Sequence, residues 1–266
     1  MLTSPPADSL PEAREEAMRV IQLKRMAVYA AVVAAYAGLV WLAAARVDYA
    51  WNWEGVWEYR EMFLKGWLAT VVISLAALVG SGLIGVLGAV CLQSRNLLLE
   101  AVVRVYVELI RGTPLLVQLL IGFYLVATAI GLENRYVAGG LILALFSGAY
   151  MVEIFRGGLA AIPRGQHDAA AAIGLSPWQS FWLVVLPQAA RIVLPPVAGQ
   201  LASLIKDSSL LSVIAISEFT LAAQEVNSFT YSSLESYLPL AAGYLLLTLP
   251  LSWIAGLLER RFHFEA

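Results

Sequence analysis

The chain contains 266 residues, of which 60% are hydrophobic and only 14% are charged, and its apolar residues fall in long blocks. This is the composition of a membrane protein rather than of a soluble domain. A net charge of -2 without a basic patch excludes a nucleic-acid-binding face, and a single cysteine, Cys91, excludes a disulfide framework and a cysteine-based metal site.

Six apolar blocks are each long enough for the roughly 20 residues that cross ~30 Å of hydrocarbon. A cytoplasmic amphipathic helix is predicted before the first block, behind a loose tail at "MLTSPPAD". The longest connection lies between the fourth and fifth blocks and contains "GQHDAAAAIGLSPWQSFWLVVLP". The predicted spans cover residues 26–45, 67–92, 102–130, 137–154, 193–216 and 237–258.

The basic residues predict the orientation of these spans. If the spans alternate across the membrane, most Lys and Arg residues fall on one side, whereas Arg46, Arg60, Lys65 and Arg135 fall on the other. By the positive-inside rule, both termini and the long connection are cytoplasmic. The "LAAAR" at the end of the first span resembles a signal-peptidase site, but the apolar run exceeds the ~7–15 residues of a signal-peptide core. We therefore predict that the first span is retained.

Side chains suited to catalysis are sparse. The two histidines, His167 and His263, are far apart in the sequence and have no metal-ligand spacing. The GxxxxGK[ST] phosphate-binding motif is absent, so the energy for any active transport comes from elsewhere than nucleotide bound by this motif. A serine nucleophile elbow and a carboxylate cluster with a partner base are absent too, which disfavours an integral-membrane enzyme. The sequence thus predicts no catalytic residue, no metal and no cofactor.

The long connection predicts a helix, a glycine corner and a second helix. Pro163 and Gly165 interrupt the preceding segment, residues 164–173 favour a helix through their alanines, and Gly174 is the expected stop. The "SPWQ" that follows supplies an N-cap serine at Ser176, a proline at the first helical position and a glutamine that closes a capping box. The second helix then leads into the membrane.

Two functions remain open for the short first helix. Its alanines carry little bulk, so another protein's surface can approach its backbone, and Asp168 is expected in its first turn, where a carboxylate favours the helix dipole. The alternative is a surface helix that lies in the membrane interface, with Trp178 and Trp182 as anchors.

At these residues the chain resembles a known family. Asp168, Ala169 and Ala170, followed by Gly174 and then "VVLP", are similar to the EAA motif of ABC importer permeases, with Asp where Glu is usual and Val184 where Ile is usual. In that family this loop is the coupling helix, which sits in a groove of the cytoplasmic ATPase.

Two further blocks narrow the resemblance. The segment "VYVELIRGTPLLVQLLIGFY" at 105–124 resembles the signature of polar amino-acid permeases of the histidine, glutamine and arginine uptake type. The segment "IKDSSLLSVIAISE" at 205–218 resembles another block of that family. The resemblance covers about 65–261 of this chain.

The resemblance implies an all-α membrane protein with six transmembrane helices, five forming a type I ABC importer permease core plus one N-terminal helix, and a cytoplasmic coupling helix. It implies a bacterial inner-membrane protein with both termini cytoplasmic. The implied partners are a cytoplasmic ATPase dimer, a second permease subunit that is the same chain or a sister, a periplasmic amino-acid-binding protein and membrane lipid. The expected segments are a cytoplasmic segment at 1–25, an extra helix at 26–45, a periplasmic segment at 46–64, a permease domain at 65–261 with its coupling loop at 156–187, and a cytoplasmic tail at 262–266.

Charged residues inside the spans are candidates for function because they are costly in a bilayer. Glu108 and Arg111 are three residues apart and are expected to face each other, as a structural or a gating ion pair. Lys206, Asp207 and Ser208 are expected near the middle of the fifth span, where the charges either meet a bound amino acid or pair within the protein. The alternatives for the whole chain are a type I importer permease for another small solute, an ion-driven secondary transporter and an integral-membrane enzyme.

Overall fold

The computed structural model describes residues 9–46, 49–94 and 96–262, and within them the chain forms helices and turns without a strand. The predicted N-terminal tail and all of the predicted C-terminal tail except Phe262 lie outside the described residues. The helices are α1 (Ser9–Ala45), α2 (Trp53–Trp57), α3 (Arg60–Gln93), α4 (Leu97–Gly112), α5 (Leu115–Ile121), α6 (Arg135–Ala160), α7 (Arg164–Ala172), α8 (Pro177–Ser180), α9 (Leu186–Asp207), α10 (Phe219–Thr230) and α11 (Ser233–Phe262). Three further helical turns, two of π type and one of 3-10 type, are Gly122–Ala127, Phe181–Val185 and Ser208–Ile214.

The N-terminal helix α1 belongs to a compact unit of its own, Met1–Trp51. The predicted amphipathic segment and the predicted first span form one continuous helix. Its part at Val20–Leu39 is apolar and long enough to cross a bilayer.

The second unit, Asn52–Ala266, holds the remaining helices. Four of its segments are long and apolar enough to cross a bilayer, namely Arg60–Gln93, Arg135–Ala160, Pro177–Ile214 and Ser233–Arg261. Among the described residues, these four segments and the apolar part of α1 make five candidate spans. The total reaches six if Leu97–Gly112 and Leu115–Ala127, which meet at a sharp bend, together form one span. The fifth predicted span, 193–216, begins earlier in the structure, because α8, a π-helical turn and α9 run on from Pro177.

The predicted span at 102–130 is broken. Thr113 and Pro114 are extended, so α4 ends at Gly112 and the next helix leaves at an angle of 110°. The proline has no N–H with which to continue the helix. The side-chain amide of Gln118 bridges the break, since its Nε2 donates to the carbonyl of Ile110 at 2.7 Å and to Oγ1 of Thr113 at 2.8 Å.

Close packing of α3 against α6 forms the centre of the second unit. A Cβ added at Gly85 would lie 2.6 Å from the Cβ of Met151, and one added at Gly88 would lie 2.4 Å from Cγ2 of Val152. Small residues allow helix backbones to approach in this way inside membranes. The main buried cluster continues from here onto α5, α9 and the turn Ser208–Ile214.

The helices of the second unit have two distinct ends. At one end, which we call the α7 end, Nε2 of Gln188 donates to Oε1 of Gln166 at 3.2 Å and so ties α9 to α7. At the other, which we call the α10 end, Nη1 of Arg135 donates to the carbonyl of Ala215 at 3.0 Å. The α10 end also holds the start of α3, where a Cβ at Gly66 would lie 2.8 Å from the Cβ of Ala222 on α10.

Candidate functional site

The predicted corner after the short helix is present and is held by two backbone hydrogen bonds. The N–H of Leu175 donates to the carbonyl of Ala170 at 3.1 Å, and the N–H of Gly174 donates to that of Ala171 at 3.0 Å. This pair of bonds is the Schellman motif. Gly174 has φ +82, a left-handed value that glycine adopts without the steric penalty of a Cβ. The sequence prediction of Gly174 as the stop is confirmed.

The second helix also begins as predicted. The hydroxyl of Ser176 accepts from the N–H of Gln179 at 3.3 Å, and the side chain of Gln179 accepts from the N–H of Ser176 at 2.9 Å, with Pro177 at the start of the helix. Trp178 and Trp182 follow, both exposed, with their rings 5.4 Å apart.

Helix α7 begins too early in the sequence for Asp168 to lie in its first turn, where it was expected. Pro163 is its N-cap and Gly165 lies inside it, so Asp168 falls in the second turn and the prediction of a first-turn carboxylate is wrong. Asp168 and Ala169 are exposed, but Ala170 is only 2% exposed because it faces the chain's own interior. The face that α7 offers to another molecule therefore includes Asp168 and Ala169 and excludes Ala170.

A cavity of about 1000 Å³ begins beside α7 and extends along α9 and α11. Its lining includes Pro163 just before α7, Gln166 in α7, Glu259 on α11, and Lys206 near the end of α9. Gln188, another lining residue, is 18 residues from Lys206, which corresponds to ~27 Å along an α-helix. The cavity thus connects the α7 end with a cation near the opposite end of α9.

Two consecutive prolines in the cavity wall, Pro195 and Pro196, lie inside α9. A proline nitrogen cannot donate to the carbonyl four residues earlier. The carbonyls of Arg191 and Ile192, both residues of the cavity lining, therefore lack their α-helical donors. Such carbonyls are acceptors for a polar ligand or for water.

The predicted group Lys206, Asp207 and Ser208 is divided by the structure. Lys206 is exposed and lines the cavity, whereas Asp207 is half-buried and is not part of the lining. Neither charge takes part in an ion pair with any described residue. Ser208 is buried, and its hydroxyl donates to the carbonyl of Ile205 at 2.8 Å.

The predicted pair of Glu108 and Arg111 does not form among the described residues. Arg111 instead lies 3.9 Å from Glu153 of α6 and stacks over the ring of Tyr150 at 5.7 Å. Glu153 is held more closely by Arg156, at 2.7 Å. The partner of Arg111 comes from another helix because α4 packs across α6, which spacing within α4 does not reveal.

One buried acid, Glu218, was not predicted as a functional residue. Its side chain is fully buried and is the N-cap of α10, where it accepts from the N–H groups of Thr220 and Leu221, both at 2.9 Å. Burial raises the pKa of the Glu218 carboxyl, and hydrogen bonds from those two N–H groups and from Tyr244 oppose the shift. An acid directly before an amphipathic helix is an N-cap signal, and this signal was available in "ISEFTLAAQ".

Among the residues that the structure describes, no cluster of three or more His, Cys, Asp or Glu side chains is placed to hold a metal ion. The site is therefore described by the cavity, the exposed helix α7 and the side chains between them.

Residues 81–264 match the model of a protein family described as the binding-protein-dependent transport system inner membrane component. The glutamine transport system permease protein GlnP of Escherichia coli (strain K12) is 34% identical over 212 residues, covering 79% of this chain and 97% of that protein. The probable glutamine ABC transporter permease protein GlnM of Bacillus subtilis (strain 168) is 35% identical over 201 residues, covering 75% and 93%.

Solved structures give the same result. A chain of a crystal structure of an amino acid ABC transporter with histidines is 33% identical, with a TM-score of 0.74, covering 80% of this chain and 100% of that one. A chain of the MetNI methionine ABC transporter in an inward-facing conformation is 17% identical, with a TM-score of 0.65, covering 76% and 97%, and shows similarity of fold alone.

Proposed function

Because this chain belongs to the family of binding-protein-dependent transport system inner membrane components, we propose that it conducts a polar amino acid through the cytoplasmic membrane of a bacterium, driven by a separate ATPase that docks on α7. As a family member it is an ABC importer permease, a transport component and not an enzyme. The family implies an ATPase, a binding protein and a second permease subunit as partners.

The observation that carries the proposal is the cavity that joins α7 to Lys206. Movement of a solute requires a route, and movement driven by an ATPase requires that the route be mechanically connected to the docking element. The cavity wall includes Gln166 of α7 and Gln188 of α9, and the hydrogen bond between their side chains ties these two helices together. A displacement of α7 is therefore passed to the wall.

The lining of the cavity suits a zwitterionic amino acid. The ammonium of Lys206, which has no ion-pair partner among the described residues, is available to the substrate carboxylate. The carbonyls of Arg191 and Ile192 lie ~21 Å or more from Lys206 along α9, so they form a second polar position on the route, where they accept from the ammonium or the side-chain amide of a passing substrate. Asp207 adds a negative charge next to Lys206, and the buried hydroxyl of Ser208 supports the turn beyond it.

Glutamine is the substrate to test first. The similar permeases of Escherichia coli and Bacillus subtilis carry glutamine in their names, and their identity with this chain exceeds 30%. The cavity offers the amides of Gln166 and Gln188 as well as charged groups, so a neutral polar side chain is matched by neutral polar partners.

Asp168 and Ala169 form the proposed contact with the ATPase, because both are exposed on α7. The backbone turn at Gly174 sets the direction of α7 relative to the helix that follows it, and the buried Ala170 packs α7 against the other helices. The proposed orientation places α7 and both termini in the cytoplasm and the α10 end in the periplasm, where the binding protein delivers its substrate. The excess of Lys and Arg at the α7 end supports this orientation.

The experiment is uptake of tritiated L-glutamine by vesicles that contain this chain with its second permease subunit, whether a second copy or a sister, its ATPase and its binding protein. We expect uptake with ATP on the ATPase side and no uptake with ADP, and competition by unlabelled polar amino acids but not by leucine. Uptake that follows an ion gradient without ATP would establish a secondary transporter instead. ATP-driven uptake of another class of solute, with no amino acid competing, would establish a permease for a different cargo.

A further inference from the structure

Glu218 lies at a junction of three helices at the α10 end. Besides the two N–H groups of α10, its Oε2 accepts from the hydroxyl of Tyr244 on α11 at 3.1 Å and from that of Thr70 on α3 at 3.4 Å. Oγ1 of Thr70 also accepts from the N–H of Phe219 at 3.1 Å. We call Glu218, Thr70 and Tyr244 the junction cluster; it joins α3, α10 and α11 through one carboxylate.

The charge of this carboxylate is balanced by hydrogen-bond donors rather than by a cation. None of the ion pairs among the described residues includes Glu218, although its side chain is fully buried. Two N–H groups at the start of a helix stabilise an anion through direct bonds and through the helix dipole. A buried carboxylate that accepts hydrogen bonds from three helices keeps those helices in one arrangement. If any of the three moves away, the carboxylate loses a hydrogen bond that water cannot replace in the buried site.

Tight packing around the junction cluster leaves little space for adjustment. A Cβ at Gly66 would lie 3.0 Å from the carbonyl oxygen of Glu218, and one at Gly243 would lie 2.4 Å from the ring of Phe219. Both α3 and α11 thus have a glycine where the first turn of α10 contacts them. The position of Glu218 is fixed by backbone contacts as well as by its side chain.

The junction cluster also reaches the proposed substrate route. The hydroxyl of Tyr244 lies 2.9 Å from Oγ1 of Thr220 in the first turn of α10. Ser208 begins the turn that directly follows Lys206 and Asp207, and Glu218 ends the connection that this turn starts. The junction cluster therefore fixes the far end of the segment that begins beside the cavity cation.

We propose that Glu218 is a positioning residue for transport: together with Thr70 and Tyr244 it anchors the end of the segment that follows Lys206 and Asp207 in the arrangement that receives the substrate, and it couples that segment to the α10 end. The inference rests on the proposed function and adds to it a residue outside the cavity. Removal of the carboxylate charge would let the segment shift while the helices remain packed through their glycine contacts.

The test is Glu218→Gln in vesicles that hold the complete transporter, with the number of glutamine molecules imported per ATP hydrolysed as the readout. A loss of folded transporter lowers glutamine import and ATP hydrolysis by the transporter together. A defect that only reduces the amount of folded protein therefore leaves this ratio unchanged. We expect the ratio to fall about tenfold in Glu218→Gln and about threefold in Tyr244→Phe, with a double variant no worse than Glu218→Gln, because the two residues act in one cluster. Glu225→Gln, on the same helix, and Tyr237→Phe, on α11, are the matched controls and should keep the ratio of the wild type.

The Tyr244→Phe variant decides the inference if Glu218→Gln does not assemble. A wild-type ratio in Tyr244→Phe, or in both variants, overturns the positioning role while the wild-type protein still imports glutamine. Wild-type vesicles that import no amino acid contradict the proposed function, and this inference with it.

Discussion

The glycine corner at Gly174 allows a sharp test of α7 because its substitution isolates backbone strain. A Cβ at this position would meet no atom within 4 Å, so Gly174→Ala adds no steric clash, and its cost comes from φ +82 alone. A left-handed conformation costs an L-residue about 1–2 kcal/mol, which lowers the equilibrium constant for forming the native corner by roughly 5–30-fold. Gly174→Val carries a larger cost, since a branched Cβ is less tolerant of positive φ.

The matched control for this strain is Gly165→Ala. Gly165 lies in α7, the helix that ends at the Gly174 corner. Its φ is not in the left-handed range, and a Cβ there would also meet no atom within 4 Å. Alanine is a better helix former than glycine by about 1 kcal/mol, so this variant should keep or strengthen α7. The two variants change the same atoms and differ only in the backbone conformation that they must adopt.

The assay is uptake of L-glutamine and hydrolysis of ATP in the same reconstituted vesicles. We expect Gly174→Ala to insert normally and to import at least fivefold less glutamine per ATP, Gly174→Val to import still less, and Gly165→Ala to match the wild type within about twofold. Wild-type coupling in Gly174→Val would refute the reasoning and would leave α7 as a surface helix in the membrane interface. A loss in Gly165→Ala equal to that in Gly174→Ala would show that bulk on α7, and not the corner, is what matters.

Three further outcomes are expected. N-terminal sequencing of the membrane-extracted protein should give a start upstream of the apolar span in α1, because that span is retained; a start near Arg46 would show cleavage. Lys206→Met should impair uptake more than Asp207→Asn, since only Lys206 lines the cavity, and both should still copurify with the ATPase; equal, normal transport by both would make the pair structural. In thermal unfolding, Glu153→Gln should lower stability by about 1 kcal/mol and Arg111→Gln by less, because Glu153 has two basic neighbours, at 2.7 and 3.9 Å; the reverse order would contradict the pairing described.

Local structure was predictable from the sequence wherever neighbours in the chain supply the bonds. The corner at Gly174 and the capping box at Ser176 are made by residues within five positions of each other, and both are confirmed. The position of Asp168 was wrong because the helix begins at Arg164, so Asp168 is its fifth residue and lies beyond the first turn of ~3.6 residues.

Features made by distant parts of the chain were not predictable from spacing. Arg111 finds Glu153 on α6 instead of Glu108 on its own helix, because α4 packs across α6. Glu218 showed an N-cap signal but no sign of Thr70, which is 148 positions away in the sequence. The prediction that the alanines of α7 form an exposed face was only partly correct. Ala170 is buried because α7 packs against the other helices, which the local sequence does not reveal.

The docking of an ATPase on α7 is the central claim, and site-specific crosslinking tests it most directly. A Cys91→Ser background removes the native cysteine, and Ala169→Cys and Ala170→Cys then place single thiols on the exposed and the buried side of α7. We predict that a short thiol crosslinker joins Ala169→Cys to the ATPase subunit and stops uptake, and that it leaves Ala170→Cys unlinked. ATP-driven uptake that persists with no link from Ala169→Cys to the ATPase, or equal linking from both positions, would contradict the account.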